Sequence, residues 1–334
     1  MRVPFDQMQA EFSRVFQKGG MPKDKAEICA RVHTETSRDG VYSHGAGRVM
    51  RFFDYLQKGW VDPNAEPTLH KAFGALEVWD GNLGVGILNA FHGTDRAIEL
   101  AQVHGIGLVG LRNTTHWMRG GSYGLHALDK GYALIGWTNT ESCMPPWGGT
   151  EARLGNNPFV MALPNGEEPI LLDMAMTQYS FGKLETMRLA GRDLPYPGGF
   201  DCDGNLTSVP AEIEESMRPL PIGFWKGSAF AFMLDILAAV FSDGLGAAGI
   251  DQVGKGSCGG CSQVLIAIDP SKLTTAEHME ELAKLAKAHI QSSAPAEGSG
   301  EIRPPGAGSI AARADAAAHG VWIDDSVWAA ICAL

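Results

Sequence analysis

The sequence predicts an α/β protein with helical ends, and three observations lead to that class. Apolar residues recur at helical spacing near the start of the chain, where Phe5, Met8, Phe12 and Phe16 fall on one face. From Ala75 onward, short apolar strands alternate with helical segments, as they do in α/β folds. Helical periodicity then returns toward the carboxyl end. We therefore expect the two helical ends to pack together around an α/β middle.

The individual elements follow in chain order. Gly19-Gly20 ends the first helix, Pro22 opens the second, and the third begins with Ser43 as its N-cap and ends at Gly59. Asp324 is placed to cap a last helix. Strands are predicted at residues 76–79, 106–111, 133–137, 159–163, 170–174 and 264–268. Further helices are predicted at residues 86–103, from about 122 onward, at 228–242 and at 272–291.

Charge and hydrophobicity exclude several classes of partner. Lys and Arg total 27 against 38 Asp and Glu, which gives a formal charge of −11. A chain this acidic is poorly suited to nucleic acid or to an anionic membrane surface. The longest apolar run, residues 229–241, is interrupted by Asp235 and is shorter than the roughly 18–20 residues of a membrane span. It is therefore interpreted as a core helix, and we expect no membrane partner.

The cysteines indicate a reducing environment. Six cysteines in 334 residues do not make a disulfide scaffold, and we expect a cytoplasmic protein. Cys258 and Cys261 form a lone C-x-x-C without the further ligands that a zinc site needs. The sequence also has no H-E-x-x-H pattern. We expect no bound metal.

Two segments match the G-x-G-x-x-G pattern of dinucleotide-binding folds. The pattern works only where the glycines follow a strand and open a helix. The first match, at residues 105–110, lies inside a predicted strand, and the second, at residues 244–249, follows a predicted helix. If the protein binds a dinucleotide, it therefore does so without a Rossmann turn.

Two histidine motifs are candidates for chemistry. His44 and Arg48 are four residues apart, so they share one side of the predicted third helix. A histidine can donate a proton near pH 7 and an arginine can hold a carboxylate, which is what reduction of a 2-keto acid requires. His116 and Arg119 lie with Gly120-Gly121 in a loop after a strand. For each motif an exposed turn without a ligand is the alternative interpretation, and the residues alone leave this open. His33 and four other histidines lie in helical contexts and are expected at the surface.

Taken together, these motifs resemble the malate/L-lactate/sulfolactate dehydrogenase family, whose members lack a Rossmann fold. Within the family, the motifs resemble the branch of 2,3-diketo-L-gulonate reductases. The resemblance runs nearly end to end and rests on these segments: Tyr42-Ser43-His44-Gly45, residues 112–124, Met144-Pro145-Pro146-Trp147-Gly148, Gly155-Asn156-Asn157-Pro158, Leu172-Asp173-Met174-Ala175, Leu189-Ala190-Gly191-Arg192, Trp225-Lys226-Gly227-Ser228 and residues 323–328. Thr140-Glu141 departs from the family pattern.

The resemblance implies a sulfolactate dehydrogenase-like, three-layer mixed-sheet fold with a non-Rossmann nucleotide domain. It implies a homodimer that uses NADH, or NADPH, to reduce a 2-oxo acid, here 2,3-diketo-L-gulonate to 3-dehydro-L-gulonate. Malate, L-lactate and ureidoglycolate dehydrogenases are alternatives within the family, and a non-catalytic sugar-acid binding protein is an alternative of another class. We expect residues 1–120 and 270–334 to form a substrate and dimerisation lobe, and residues 121–269 to form the nucleotide domain.

The resemblance also implies roles for individual residues. His44 would donate a proton to the substrate carbonyl and Arg48 would hold the carboxylate. His116 would lie beside the nicotinamide, and in some relatives this position is itself the acid or base. The implied substrate-binding residues are Ser43, Arg48, Met118, Gly120 and Trp147. The implied cofactor-binding residues are Pro169, Ile170, Leu171, Leu172, Asp173, Met174, Ala175, Trp225, Lys226, Gly306, Ala307 and Gly308.

Overall fold

Helices and strands alternate along the computed structural model, which describes residues 1–166, 169–297 and 300–334. Within these residues the helices are α1 (Phe5–Lys18), α2 (Lys23–Arg38), α3 (Ala46–Gln57), α4 (Gly86–His104), α5 (Gly121–Asp129), α6 (Phe181–Leu189), α7 (Pro210–Ser216), α8 (Trp225–Ser242), α9 (Ala247–Val253), α10 (Ala276–Gln291), α11 (Ala307–His319) and α12 (Asp325–Ala333). The strands are β1 (Arg2–Val3), β2 (Thr68–Phe73), β3 (Leu76–Asp80), β4 (Ile106–Thr114), β5 (Ala133–Thr138), β6 (Phe159–Leu163), β7 (Ile170–Met174), β8 (Gly199–Phe200), β9 (Leu206–Thr207), β10 (Cys261–Ile268) and β11 (Val321–Trp322).

A seven-stranded mixed sheet occupies the centre, in the order β2-β3-β4-β10-β5-β6-β7. Strands β3 and β4 run parallel, and the other neighbouring pairs run antiparallel. Helices α4 and α5 cover one face, and α8 covers the other. The predicted three-layer α/β fold with a mixed sheet is confirmed. The sheet contains strands from both sides of residue 120, where the predicted lobe boundary falls, since β4 pairs with β10. The division into two lobes stays a prediction.

Strand β10, in the middle of the sheet, contributes side chains to the cores on both faces. Leu265 and Ala267 point into the core under α4 and α5, whereas Val264 points into the core under α8, and all three are fully buried. A strand covered on both faces needs apolar residues at nearly every position, because its side chains alternate between the two faces. Burial on both faces explains why residues 264–268 are a continuous apolar run.

The glycines at residues 105–110 serve packing and not a phosphate turn. Gly105 ends α4 in the left-handed conformation, with φ of 80°. A Cβ on Gly107 would lie 2.2 Å from the Ala97 carbonyl oxygen of α4, and a Cβ on Gly110 would lie 2.1 Å from the Phe241 carbonyl oxygen of α8. The missing side chains let one helix approach each face of β4. The match to a dinucleotide motif is therefore coincidental.

The two ends of the chain pack together, as the sequence predicts. Strand β1 pairs with β11, and α12 packs against α1 and α3. Phe12, Phe16, Phe52 and Ile331 share one buried core. Burial of each such side chain is worth about 1.5–3 kcal/mol, so this core ties the amino-terminal helices to the carboxyl terminus.

Helix α8 differs from the prediction of a core helix. Its small residues, including Ala231 and Ala238, are buried against the sheet, and Asp235 accepts a 2.9 Å hydrogen bond from Asn139 Nδ2. The opposite face exposes Phe232 (53%) and Val240 (66%). By length and composition this helix could also cross a membrane, with 33% of that stretch buried inside the fold. Only one face of α8 thus belongs to the core of the chain.

Candidate active site

Two cavities meet at a pair of histidines. The first has a volume of about 430 Å³ and the second about 510 Å³. His44 and His116 line both, and their rings stack with centroids 5.7 Å apart and planes 29° apart. The structure thus brings together two motifs that lie 72 residues apart in sequence. Because each cavity reaches both rings, two ligands could meet at this junction.

His44 lies on a 3-10 turn, Tyr42–His44, and α3 begins after it at Ala46. The prediction that Ser43 caps this helix is wrong. The Ser43 hydroxyl lies 3.0 Å from His44 Nδ1 instead and fixes the ring. A Cβ on Gly182 would fall 1.9 Å from the Ser43 Cβ, so only glycine at this position lets α6 pack on the turn. Packing of α6 and the hydrogen bond between Ser43 and His44 therefore both hold the turn that carries His44.

His116 lies in the loop between β4 and α5. The Met118 backbone N–H donates a 2.9 Å hydrogen bond to His116 Nδ1. Met118 adopts the left-handed conformation, with φ of 63°, which is uncommon for a side chain of this size. Thr115 anchors the loop to the start of α4 by accepting from the Gly86 N–H at 3.0 Å. Strain of this kind persists where the surroundings enforce it, often at functional sites.

Both histidines are held in the neutral form. Burial lowers the pKa of His44 to about 3, with a further contribution from the Arg48 charge. Burial likewise lowers the pKa of His116 well below its ordinary value, again assisted by Arg48, His44 and Arg51. An anion bound at Arg48 would offset that positive charge and favour protonation of a nearby ring. The site is therefore set to gain a proton when an acid binds.

Arg48 is the best candidate to hold an anion. It lies in the first turn of α3, is half-buried and lines the second cavity. Its Nε is buried, and within the described part of the chain its guanidinium has no hydrogen-bond partner. Burial lowers the pKa of Arg48, and the neighbouring Arg51 adds to this. An unpaired buried guanidinium beside a cavity suits a carboxylate, which can accept two parallel hydrogen bonds.

Arg119 has a structural position. It is 4% exposed and donates to Asp39 at 2.6 Å, and Arg313 of α11 donates to the same carboxylate at 2.6 and 2.7 Å. Burial alone would raise the pKa of Asp39, but the Arg313 hydrogen bonds and the Arg119 charge outweigh it and lower that pKa. Arg119 Nε also lies 3.8 Å from Asp173 Oδ2. This cluster joins α2, α11 and β7 around the first cavity.

The predicted cofactor residues divide into two groups. Those that line the first cavity are Leu171, Leu172, Asp173, Met174, Ala175, Gly306 and Gly308. Pro169, Ile170 and Ala307 are adjacent in sequence but outside the lining. Trp225 and Lys226 lie at the start of α8 and do not line the cavity, and Trp225 is 61% exposed. The structure thus brings the β7 and α11 residues together and leaves the α8 residues apart.

The predicted substrate residues also divide. Ser43 lines both cavities and Arg48 lines the second, whereas Met118 and Gly120 line the first. Trp147 lines neither cavity and packs on Phe224, with ring centroids 5.3 Å apart.

Several polar residues at the junction were not predicted. They line both cavities and are Thr140, Asn156, Ser180 and Ser257. Thr140 follows the end of β5 in a polar run, a position where ligand-binding groups concentrate, so a signal was present. Glu141 lines the second cavity; its Oε2 is buried without a partner among the described residues, and burial raises its pKa. The second cavity therefore offers many hydrogen-bonding groups besides Arg48, Arg51 and Arg188.

The first cavity fits a nucleotide. Helix α11 begins there, and its N-cap Gly306, with φ of 91°, supplies no side-chain cap. In the first turn the Ala307 N–H donates to the Pro304 carbonyl and the Ser309 N–H to the Gly306 carbonyl. Among the described residues this leaves the Gly308 N–H, together with the positive end of the helix dipole, to bind a phosphate. The apolar side of Leu171 and Leu172 on β7 suits a flat ring. Among the residues that the structure describes, no group of three or more metal-binding side chains is found.

A three-layer mixed sheet, with paired histidines at the junction of two cavities and an unpaired arginine in the second, is the arrangement expected of a non-Rossmann oxidoreductase. The profile of the malate/L-lactate dehydrogenase family matches residues 3–332, so the chain belongs to the malate/L-lactate dehydrogenase family and is an oxidoreductase. It is 44% identical to the 2,3-diketo-L-gulonate reductase of Escherichia coli K12 over 335 aligned positions, which cover 100% of both chains.

Solved structures agree with this assignment. The sulfolactate dehydrogenase of Methanocaldococcus jannaschii superposes with a TM-score of 0.87 at 28% identity, covering 99% of this chain and 95% of that one. The malate dehydrogenase of Pyrococcus horikoshii OT3 superposes with a TM-score of 0.89 at 27% identity, covering 99% and 93%. The predicted family and fold are confirmed.

Proposed function

We propose that this protein reduces a hydroxylated 2-oxo acid to the 2-hydroxy acid with NADH, and that 2,3-diketo-L-gulonate is its substrate. The observation that carries the proposal is the His44–His116 pair at the junction of two cavities, with the unpaired Arg48 in the second. The first cavity takes the nucleotide and the second takes the acid. The E. coli relative of that name supports the choice of substrate.

The residues of the chain carry out the steps around the hydride transfer. When bound, the nicotinamide supplies the hydride that reaches C2 of the substrate. Arg48 holds the substrate carboxylate with two hydrogen bonds, and the bound carboxylate offsets the Arg48 charge that disfavours a protonated His44. His44 gives the proton at its Nε2 to the carbonyl oxygen as negative charge develops there. General acid catalysis of this kind contributes about 10²–10⁴-fold.

A polar second cavity supports a hydroxylated acid over pyruvate. Thr140, Asn156, Ser257 and Glu141 could pair with hydroxyl groups, which a short apolar acid lacks. A site built for hydrogen bonds discriminates strongly against a ligand without them, because its buried polar groups are then left unpaired. We therefore expect pyruvate and oxaloacetate to be poor substrates.

The test is NADH oxidation at 340 nm with 2,3-diketo-L-gulonate, oxaloacetate, pyruvate or no acid, repeated with NADPH. We expect turnover with 2,3-diketo-L-gulonate to exceed that with the other two acids by at least about 10²-fold in kcat/KM. Turnover only with oxaloacetate or pyruvate would contradict the proposed substrate and keep the reaction type. No oxidation of either nucleotide with any acid would contradict the proposed reaction and favour a sugar-acid binding protein.

We also propose a homodimer formed through α8 in a reducing, cytoplasmic setting. The exposed apolar face of α8, with Phe232, Met233, Ile236 and Val240, supports a second copy as its occupant. All six cysteines are free and lie within the described residues, which supports a reducing compartment. An exposed apolar patch of this kind commonly marks an interface.

Replacing Ile236 with glutamate is expected to dissociate the dimer. The wild type should sediment at twice the chain mass of 35.7 kDa, and I236E should sediment at the chain mass, because a buried unpaired charge opposes association. Leu285→Glu, at a 60% exposed position on α10, is the matched control and should leave the dimer intact. A monomeric wild type, or dissociation of the Leu285 variant alone, would contradict the α8 interface.

A further inference from the structure

The hydrogen bond to His116 determines which ring nitrogen carries its proton. A backbone N–H can only donate, so the Met118 N–H at 2.9 Å requires a lone pair on His116 Nδ1. The neutral ring then carries its proton on Nε2. A proton added to the ring would have to go to Nδ1, where it would face the Met118 N–H and replace a hydrogen bond with a repulsion.

Buried residues on both sides of Met118 keep its N–H in position to donate to His116 Nδ1. Trp117 and Arg119, on either side of Met118, are 2% and 4% exposed. Tyr123, which is fully buried, donates its hydroxyl proton to the Trp117 carbonyl. The charges that act most strongly on the ring are those of Arg48, His44, Arg51 and His33, and all of them lower its pKa. Of the other titratable groups, the Cys258 thiol is hydrogen-bonded to the His116 backbone. Asp173 lines the first cavity with His116, and Glu141, Glu185 and Glu214 line the second. The groups that act most strongly on the ring therefore oppose a positive charge on His116.

His44 has a different partner. Its Nδ1 lies 3.0 Å from the Ser43 hydroxyl, which can either donate or accept. The same hydrogen bond therefore survives when Nδ1 changes from a lone pair to an N–H. His44 can gain and lose a proton without losing its support, whereas His116 cannot.

We propose that His116 is a catalytic hydrogen-bond donor that stays neutral throughout the reaction, and that His44 alone transfers the proton. His116 donates from Nε2–H to the substrate carbonyl oxygen and keeps its proton. The His44 imidazolium loses the Nε2 proton to that oxygen and becomes neutral, with its remaining proton on Nδ1 donated to Ser43. The hydride on C2 and this proton on oxygen together complete the 2-hydroxy acid. This inference rests on the proposed reduction.

The first test compares glutamine at the two positions. His116→Gln keeps an N–H donor at similar reach but cannot act as an acid, so kcat should stay within about 10-fold of wild type with an unchanged pH profile. His116→Ala removes the donor and should lose about 10²–10³-fold. His44→Gln removes the acid and should lose about 10²–10⁴-fold. His289→Gln, at an exposed position on α10, is the unaffected control. A His116→Gln enzyme as inactive as the His44→Gln enzyme would overturn the proposal.

The second test does not depend on activity. In protein labelled with ¹⁵N-histidine, the His116 signals are identified by their loss in the His116→Gln variant. We expect a neutral ring protonated on Nε2 from pH 5 to pH 9, with and without the unreactive 2-oxo acid analogue oxamate. Titration of His116 in that range, or a proton on Nδ1, would refute the assignment. If the wild type reduces no acid, the proposed function fails, and these spectra still decide the state of His116.

Discussion

Replacing Arg48 with methionine is expected to lower kcat/KM for the best 2-oxo acid by about 30- to 3,000-fold. Removing one partner of a buried charge pair costs about 2–5 kcal/mol, and each 1.4 kcal/mol is a factor of ten. Arg48 has no partner in the described chain, so the whole cost falls on the ligand-bound state. Methionine keeps the length and apolar contacts of the side chain and removes the charge.

The effect should appear mostly in KM, because the carboxylate is held alike before and during hydride transfer. Two comparisons isolate the cause. Arg48→Lys keeps the charge and loses the planar fork, so it should lose less. Arg51→Met, one turn further along α3 at an exposed position, should lose less still.

A further consequence concerns His44, whose pKa the Arg48 charge helps to lower. In R48M that pKa should rise, and the alkaline limb of the kcat profile, where activity falls as His44 loses its proton, should move to higher pH. Steady-state kinetics from pH 5 to pH 9 measures both effects. An R48M enzyme with unchanged KM would show that another group holds the carboxylate.

Much of the fold could be predicted because a helix or strand with a buried face has apolar residues at regular spacing. Strand β10, covered on both faces, and helix α4, amphipathic against the sheet, both lie close to their predicted positions. The short elements α6, α7, α9 and α11 were missed. Helix α11 is rich in alanine with no fully buried residue, and so has no apolar stripe to detect.

The site was predictable in its motifs but not in its arrangement. His44, Arg48 and His116 stood out by residue type, yet only the tertiary fold sets the stacked rings 5.7 Å apart. Arg119 shows the opposite case. Its position beside two glycines suggested a ligand group, and its partners Asp39 and Arg313 come from distant helices. Long-range ion pairs leave no trace in local spacing.

His33 is a residue whose predicted and observed environments differ, and the difference affects stability. The prediction of a surface histidine is wrong, because its ring is fully buried between Phe16 and Phe52. His33 Nδ1 lies 2.8 Å from the Cys29 carbonyl oxygen, and Nε2 has no partner among the described residues. Its spacing on α2 matches an apolar face, which could have indicated burial. Burial lowers the pKa of His33 to about 4, although the Cys29 hydrogen bond opposes this.

Acid is therefore expected to destabilise this protein well above the range in which carboxylates titrate. In the unfolded chain His33 takes up a proton near its ordinary pKa of 6.5, whereas the folded chain resists protonation down to about 4. The unfolded state then binds more protons, so the free energy of unfolding falls as the pH drops from 6.5 toward 4. His33 alone contributes a loss of about 2 kcal/mol between pH 7 and pH 5. His44 and His116 act in the same direction, because their pKa values are also lowered.

Urea unfolding of His33→Leu at pH 7 and at pH 5 tests this origin. Leucine fills the apolar space between Phe16 and Phe52 and cannot be protonated, so the difference in unfolding free energy between the two pH values should shrink by about 2 kcal/mol. The matched control is His289→Leu on α10, where the side chain is exposed, and it should leave the difference as it is in the wild type. An equal difference in wild type and His33→Leu would mean that other buried groups such as His44 and His116, and not His33, control stability between pH 7 and pH 5. The Asp39 cluster is lost only at a pH below the lowered pKa of the Asp39 carboxyl. A smaller pH difference in His33→Leu therefore reports protonation of His33 and not loss of that cluster.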